Sequence, residues 1–192
     1  MRHLLLASSS PYRRELLSRL RLPFDHRAPQ IDESAHPGET PERLVRRLAR
    51  EKAQALAETH PDHLIIGSDQ VAVLGERIIG KPHTFERARE QLLACSGKRL
   101  DFLTGLALLD SRNASEQVDC VRFSVHFREL GEAQIERYLR AEEPFDCAGS
   151  FKAEGLGISL FRATEGEDAT SLIGLPLIRL VDMLNNAGIE VP

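Results

Sequence analysis

The chain has 192 residues, 42% of them hydrophobic, with a formal net charge of −4. That is length and apolar content for a single domain spanning 1–192 with a sizeable core. The acidic balance argues against a nucleic acid polymer as partner, because such modules carry a basic excess. No apolar run nears the roughly 20 residues a membrane span needs, and Leu4–Ala7 is too short for a signal-peptide core, so no membrane and a cytoplasmic location are expected. Cys95, Cys120 and Cys147 form no metal-ligand spacing and read as reduced thiols.

Residues 2–7 read as a strand that runs into Ser8-Ser9-Ser10-Pro11-Tyr12-Arg13-Arg14. Ser10 suits an N-cap and Pro11 the first helical position, so a helix is expected over 11–21. Arg13 and Arg14 then sit in its first turn, where cations oppose the helix dipole by roughly a few tenths of a kcal/mol each. Hydroxyls including Ser9, free N–H groups and an arginine pair suit a polyphosphate. Residues 22–40 read as a long loop, a type that is commonly functional. Thr40-Pro41-Glu42 signals a helix start, and that helix is expected to reach about residue 59. A strand over 63–74 turns at Gly75-Glu76 into a short return at 77–79. Thr84 caps a helix ending near Gly97. Strands follow at 99–109 and 117–128, then a helix over about 131–141. A glycine-spaced segment, Gly149 to Gly157, reads as a wall where backbone nears a ligand or as a turn. It leads into a strand ending near Phe161, and Pro176 opens a last helix. Helices and hairpins intermixed in this way predict an α/β fold with a mixed sheet.

Three residues break their own pattern. Lys52 sits within the arc of Leu44, Val45, Leu48 and Leu56, where a buried ammonium needs a partner or an anion. Asp69 shares a strand face with Ile65, Gly67, Val71 and Val73, so it needs a cation or metal beside it. Lys81 follows the hairpin in Ile79-Gly80-Lys81-Pro82, outside any P-loop pattern. Asp32 and Glu33 add carboxylates in the long loop that could hold a divalent metal beside a polyphosphate.

The ordered set Leu6–Arg14, Asp32-Glu33, Glu51-Lys52-Ala53, Gly67-Ser68-Asp69-Gln70, Gly80-Lys81-Pro82, Ala148–Gly155 and Gly174-Leu175-Pro176 resembles the Maf family of nucleotide pyrophosphatases. The resemblance implies an elongated mixed β-sheet flanked by helices, with two lobes and a central cleft, as in inosine triphosphate pyrophosphatases. It implies hydrolysis of a nucleoside triphosphate between the α and β phosphates, with a divalent metal cation (Mg2+ or Mn2+) as cofactor. It also implies a small-molecule nucleotide as partner and a homodimer. Asp69 would be the catalytic proton acceptor, Glu33 and Asp69 the metal site, and Ser9, Arg13, Arg14, Lys52 and Lys81 the phosphate site. Ser-Phe-Lys-Ala-Glu-Gly and Ser-Asp-Gln resemble the YceF-like branch that acts on 7-methyl-GTP. Glu154 would attract the positive ring of an N7-methylated guanine and accept from its N–H donors. Tyr12 would stack on that ring, and Gln70 would shape the pocket. Close relatives are expected to carry tryptophan at the Tyr12 position, and tyrosine stacks less strongly on cations. Two alternatives are a pyrophosphatase for dTTP or UTP and a non-catalytic nucleotide-binding regulator of cell division.

Overall fold

The computed structural model describes residues 2–191. Its elements run β1 (His3–Ala7), α1 (Pro11–Ser18), β2 (Phe24–Arg27), α2 (Pro41–Gln54), β3 (His63–Leu74), β4 (Arg77–Ile79), α3 (Phe85–Cys95), β5 (Arg99–Asp110), β6 (Ser115–Phe127), α4 (Glu132–Glu142), β7 (Phe161–Gly166), α5 (Ala169–Ile173) and α6 (Leu177–Asn186). The seven strands form one mixed sheet in the order β2-β1-β3-β5-β6-β7, with β4 paired to β3. The expected α/β class is borne out. The predicted caps are too: Ser10, Thr40 and Thr84 each accept a hydrogen bond from the backbone N–H three residues on.

The chain folds as two compact units. One comprises the chain up to Gln70, Leu103–Val121 and the chain from Asp168; the other comprises Val71–Phe102 and Arg122–Glu167.

In the first unit β1 lies parallel between β2 and β3, with Leu5 opposite Ile65 and Ala7 opposite Gly67. The period-two alternation sorts its apolar residues onto two faces. Leu4, Leu6, Leu64, Ile66, Leu106 and Leu108 pack with Leu16 and Leu17 of α1 and Leu180 and Leu184 of α6. Leu5, Ala7, Ile65 and Leu109 pack with Ala53 of α2. Each fully buried leucine contributes roughly 1.5–3 kcal/mol. α2 lies unusually close to the sheet. A Cβ on Gly67 would stand 2.0 Å from the Ala49 carbonyl oxygen, and one on Gly105 2.1 Å from that of Val45. Only glycine at both strand positions lets the helix backbone come this near.

In the second unit β7 pairs antiparallel with β6, Val125 opposite Thr164. Phe102, Phe127, Phe151 and Phe161 form an edge-to-face cluster, the tightest pair having ring centroids 4.7 Å apart.

Several boundaries differ from those expected. The 22–40 segment is not all loop, because Phe24–Arg27 forms the edge strand β2. Its residues are mostly exposed, which removes the alternation that marks a half-buried strand. α1 ends at Ser18 and α2 at Gln54, both short of the expected ends. The strand expected to end near Phe161 begins there instead, after a 3-10 turn over Leu156–Leu160. The glycine-spaced segment is a turn. A Cβ on Gly155 would stand 2.8 Å from the Glu142 carboxylate and one on Gly157 2.3 Å from the Lys152 carbonyl oxygen. Its close approaches are therefore to its own chain.

Candidate active site

Parallel strands in open α/β sheets present their carboxyl ends to ligands. At the carboxyl end of β1, beside the middle of β3, the first unit gathers four of the expected residues. The helix packing just described sets Lys52 of α2 over Asp69 of β3. Lys52 is 6% exposed and Asp69 8%. The Lys52 Nζ donates to Asp69 Oδ1 at 2.7 Å and lies 2.8 Å from Glu33 Oε1. One ammonium thus serves two carboxylates, which answers both pattern violations seen in the sequence. Arg13 completes the group. Burial pushes its guanidinium below the ordinary value, while the charges of Asp69 and Glu33 act in the opposite direction; a guanidinium stays protonated regardless.

Arg13 is aimed by the turn that carries the Gly174-Leu175-Pro176 motif. Its Nε donates to the Gly174 carbonyl oxygen at 2.8 Å, and Ser68 Oγ donates to the same oxygen at 3.1 Å. Gly174 has φ +128°, a conformation that favours glycine. The turn is built by buried Asp168. Its carboxylate accepts from Thr170 N at 2.9 Å, Thr170 Oγ1 at 2.6 Å and Ile178 N at 2.9 Å, tying α5 to the start of α6. The Asp-x-Thr spacing of an N-cap is the signal that could have found it.

Gln70 joins this turn too. Its Nε2 donates to the Ser171 carbonyl oxygen at 2.6 Å and to Thr104 Oγ1 at 3.0 Å. Tyr12 is half-buried in α1 and Ser9 is exposed before it. Arg14 is exposed and lies 3.1 Å from His26 Nε2, on the β2 side of the unit. Lys81 and Glu154 belong to the second unit, where both are exposed, Glu154 within the turn that packs on Glu142.

The segment carrying Glu33 has its own anchor, Arg47, also missed in the sequence because its acidic partner lies outside helical spacing. Arg47 forks onto Glu39 at 2.7 and 2.8 Å. That fork, with the His36 backbone N–H, holds the Glu39 carboxyl down to about 2. A depressed carboxyl adds stability above its unfolded range of about 4.3 and loses it as pH falls toward the folded value. Glu39→Gln is therefore expected to lower the melting temperature above about pH 5, with the difference closing as the pH approaches 2. Melts across that range check this, and a pH-independent difference would refute it.

Among the described residues no group of three or more His, Cys, Asp or Glu side chains could hold a metal ion. Any cation here would rest on Glu33 and Asp69 and complete its shell otherwise. Two of the three thiols are poor nucleophiles: burial pushes Cys95 up to about 11 and Cys147 up to about 12. No helix among the described residues is long and apolar enough to cross a membrane.

Comparison with known proteins fits this geometry. The chain is 73% identical over 192 residues, the whole of both chains, to a protein of Pseudomonas syringae pv. tomato named 7-methyl-GTP pyrophosphatase. It is 67% identical over 192 residues, again the whole of both chains, to the protein of that name from Pseudomonas aeruginosa. The solved structure of the Staphylococcus aureus Ham1 protein superposes with a TM-score of 0.52 at 16% identity, covering 97% of this chain and 99% of that one, and shares the fold. The model of the family described as Maf-like protein matches residues 3–187, nearly from end to end. By that match, and by relatives aligned over their full length, the chain belongs to the Maf family.

Proposed function

We propose that this chain hydrolyses 7-methyl-GTP between its α and β phosphates, giving 7-methyl-GMP and diphosphate. The observation that carries the reading is the single ammonium of Lys52 held between Glu33 and Asp69, with Arg13 beside them. The name borne by the full-length relatives supports the choice of base.

In this reading a water oxygen forms a bond to the α phosphorus as the bond to the α–β bridging oxygen breaks. Asp69 accepts the water's proton. The leaving diphosphate gathers charge, which Arg13, Lys52 and Lys81 offset. Lys52 begins that step already aligned on Asp69 Oδ1 at 2.7 Å. The Nε of Arg13 is committed to Gly174, which directs the remaining guanidinium N–H donors to a phosphate.

Two carboxylates that already share one cation suit Mg2+ or Mn2+, which is commonly held by one or two carboxylates together with waters and phosphate oxygens. A bound cation would supply neutralisation of phosphate charge and a more acidic water, with Glu33 and Asp69 holding it. For the base, Tyr12 stacks and Glu154 receives the positive ring. Gln70 shapes the pocket through α5, because its amide nitrogen is committed to Ser171 and Thr104.

A nucleotide panel with diphosphate detection, in magnesium or manganese, tests the proposal. The parent protein is expected to prefer 7-methyl-GTP. Glu154→Gln is expected to lower that preference by about 10- to 100-fold, the scale of a hydrogen bond to a charged group. Preference of the parent for dTTP or UTP would remove the assigned base. Absence of diphosphate from every nucleotide would favour a regulator over an enzyme.

A further inference from the structure

Glu33 sits in a stretch with no strand or helix between β2 and α2, and its side chain is 60% exposed. A carboxylate on such a segment is poorly fixed unless the backbone beside it is tied down. The structure ties it from α2, at two points. Lys52 takes the Glu33 side chain at 2.8 Å. Arg47 takes the backbone: its Nη2 donates to the carbonyl oxygen of Ser34, the residue after Glu33, at 2.9 Å.

Arg47 commits its other donors to the same end. Nε and Nη2 fork onto both oxygens of Glu39, and Nη1 donates to Glu51 Oε2 at 3.0 Å, which steadies the guanidinium on its own helix. Glu39 Oε2 in turn accepts from the His36 backbone N–H at 3.0 Å. The planar fork is matched to a bidentate carboxylate and a neighbouring carbonyl in a way an ammonium cannot reproduce. Two charged side chains of one helix, five residues apart in sequence, thus grip the loop on either side of the Glu33–Ser34 peptide.

We propose that Arg47 is a positioning residue that acts through Glu33, fixing the backbone so that this carboxylate stays at the site when Lys52 turns to a phosphate. The proposal rests on the reading that Glu33 helps to hold a divalent cation. Residues that support a metal ligand from behind typically change metal affinity or activity by about 10- to 100-fold when removed.

The test measures binding of Mn2+ alone by electron paramagnetic resonance, with no nucleotide, alongside amide hydrogen exchange of the intact chain. Arg47→Ala is expected to raise the Mn2+ dissociation constant about 10-fold. It should also speed exchange over residues 28–40 while the β1 and β3 amides stay protected. Arg47→Lys should recover only part of the loss. Glu39→Gln weakens the same fork and provides the test should Arg47→Ala fold poorly. In a Glu33→Gln background, removing Arg47 should change Mn2+ binding no further. If Glu33→Gln leaves Mn2+ binding unchanged, the reading of Glu33 as a metal holder fails and the proposal falls with it. If Glu33→Gln weakens binding but Arg47→Ala has no effect, or adds its own independent loss, the positioning role alone is overturned.

Discussion

Asp69→Asn is expected to lose at least about 100-fold in turnover, the usual scale for removing a positioned general base. The side chains have the same shape, and the amide oxygen can still accept from the Lys52 ammonium now 2.7 Å from Oδ1. Lys52 would also keep its contact with Glu33. The variant should therefore fold, which circular dichroism and a cooperative melt would verify. An amide has neither proton affinity nor charge for the reaction. Single-turnover diphosphate release at saturating nucleotide isolates the chemical step. Turnover close to that of the parent protein would exclude Asp69 as the proton acceptor.

The largest expected structural effect comes from a residue that has no side chain. Gly67→Ala would place a methyl group 2.0 Å from a backbone oxygen of α2, and no side-chain rotation can relieve that. Overfilling a packed contact costs about 1–3 kcal/mol and occasionally more. For a chain of this size each kcal/mol is worth about 2–4 °C, so the melting temperature should fall by roughly 2–12 °C. Helix α2 must retreat to admit the methyl, and it carries both Lys52 and Arg47 away from β3 and the Glu33 loop. Turnover should fall with stability. Gly80→Ala is the control: a Cβ there meets nothing within 4 Å, and its melt should stay near that of the parent. A Gly67→Ala protein with unchanged melting temperature and activity would show that the close approach of helix and strand is dispensable.

Sequence patterns exposed the site where chemistry contradicted periodicity. Lys52 interrupted an apolar stripe and Asp69 an apolar strand face, and the two proved to be each other's partners. Helix starts were legible because Ser10, Thr40 and Thr84 cap through contacts three residues away. What sequence patterns leave hidden rests on partners far apart in the chain or on backbone groups. Glu39 and Arg47 meet across an irregular loop with no spacing rule. Asp168 works by joining two helices through backbone N–H groups that any residue supplies. Strand β7 is exposed beyond Phe161, so its pairing with β6 leaves no apolar alternation to read. The Gly174-Leu175-Pro176 motif was visible, but its carbonyl bond to Arg13 was not, because 161 residues separate the partners.

That carbonyl has a thermodynamic consequence. A long cationic side chain loses up to about 2 kcal/mol of rotational freedom when it is frozen. Here Arg13 is frozen on Gly174 while the polypeptide folds. The entropic cost of immobilising that cation is thus met before a nucleotide arrives, and more of the triphosphate's binding energy remains to distinguish the transition state from the ground state.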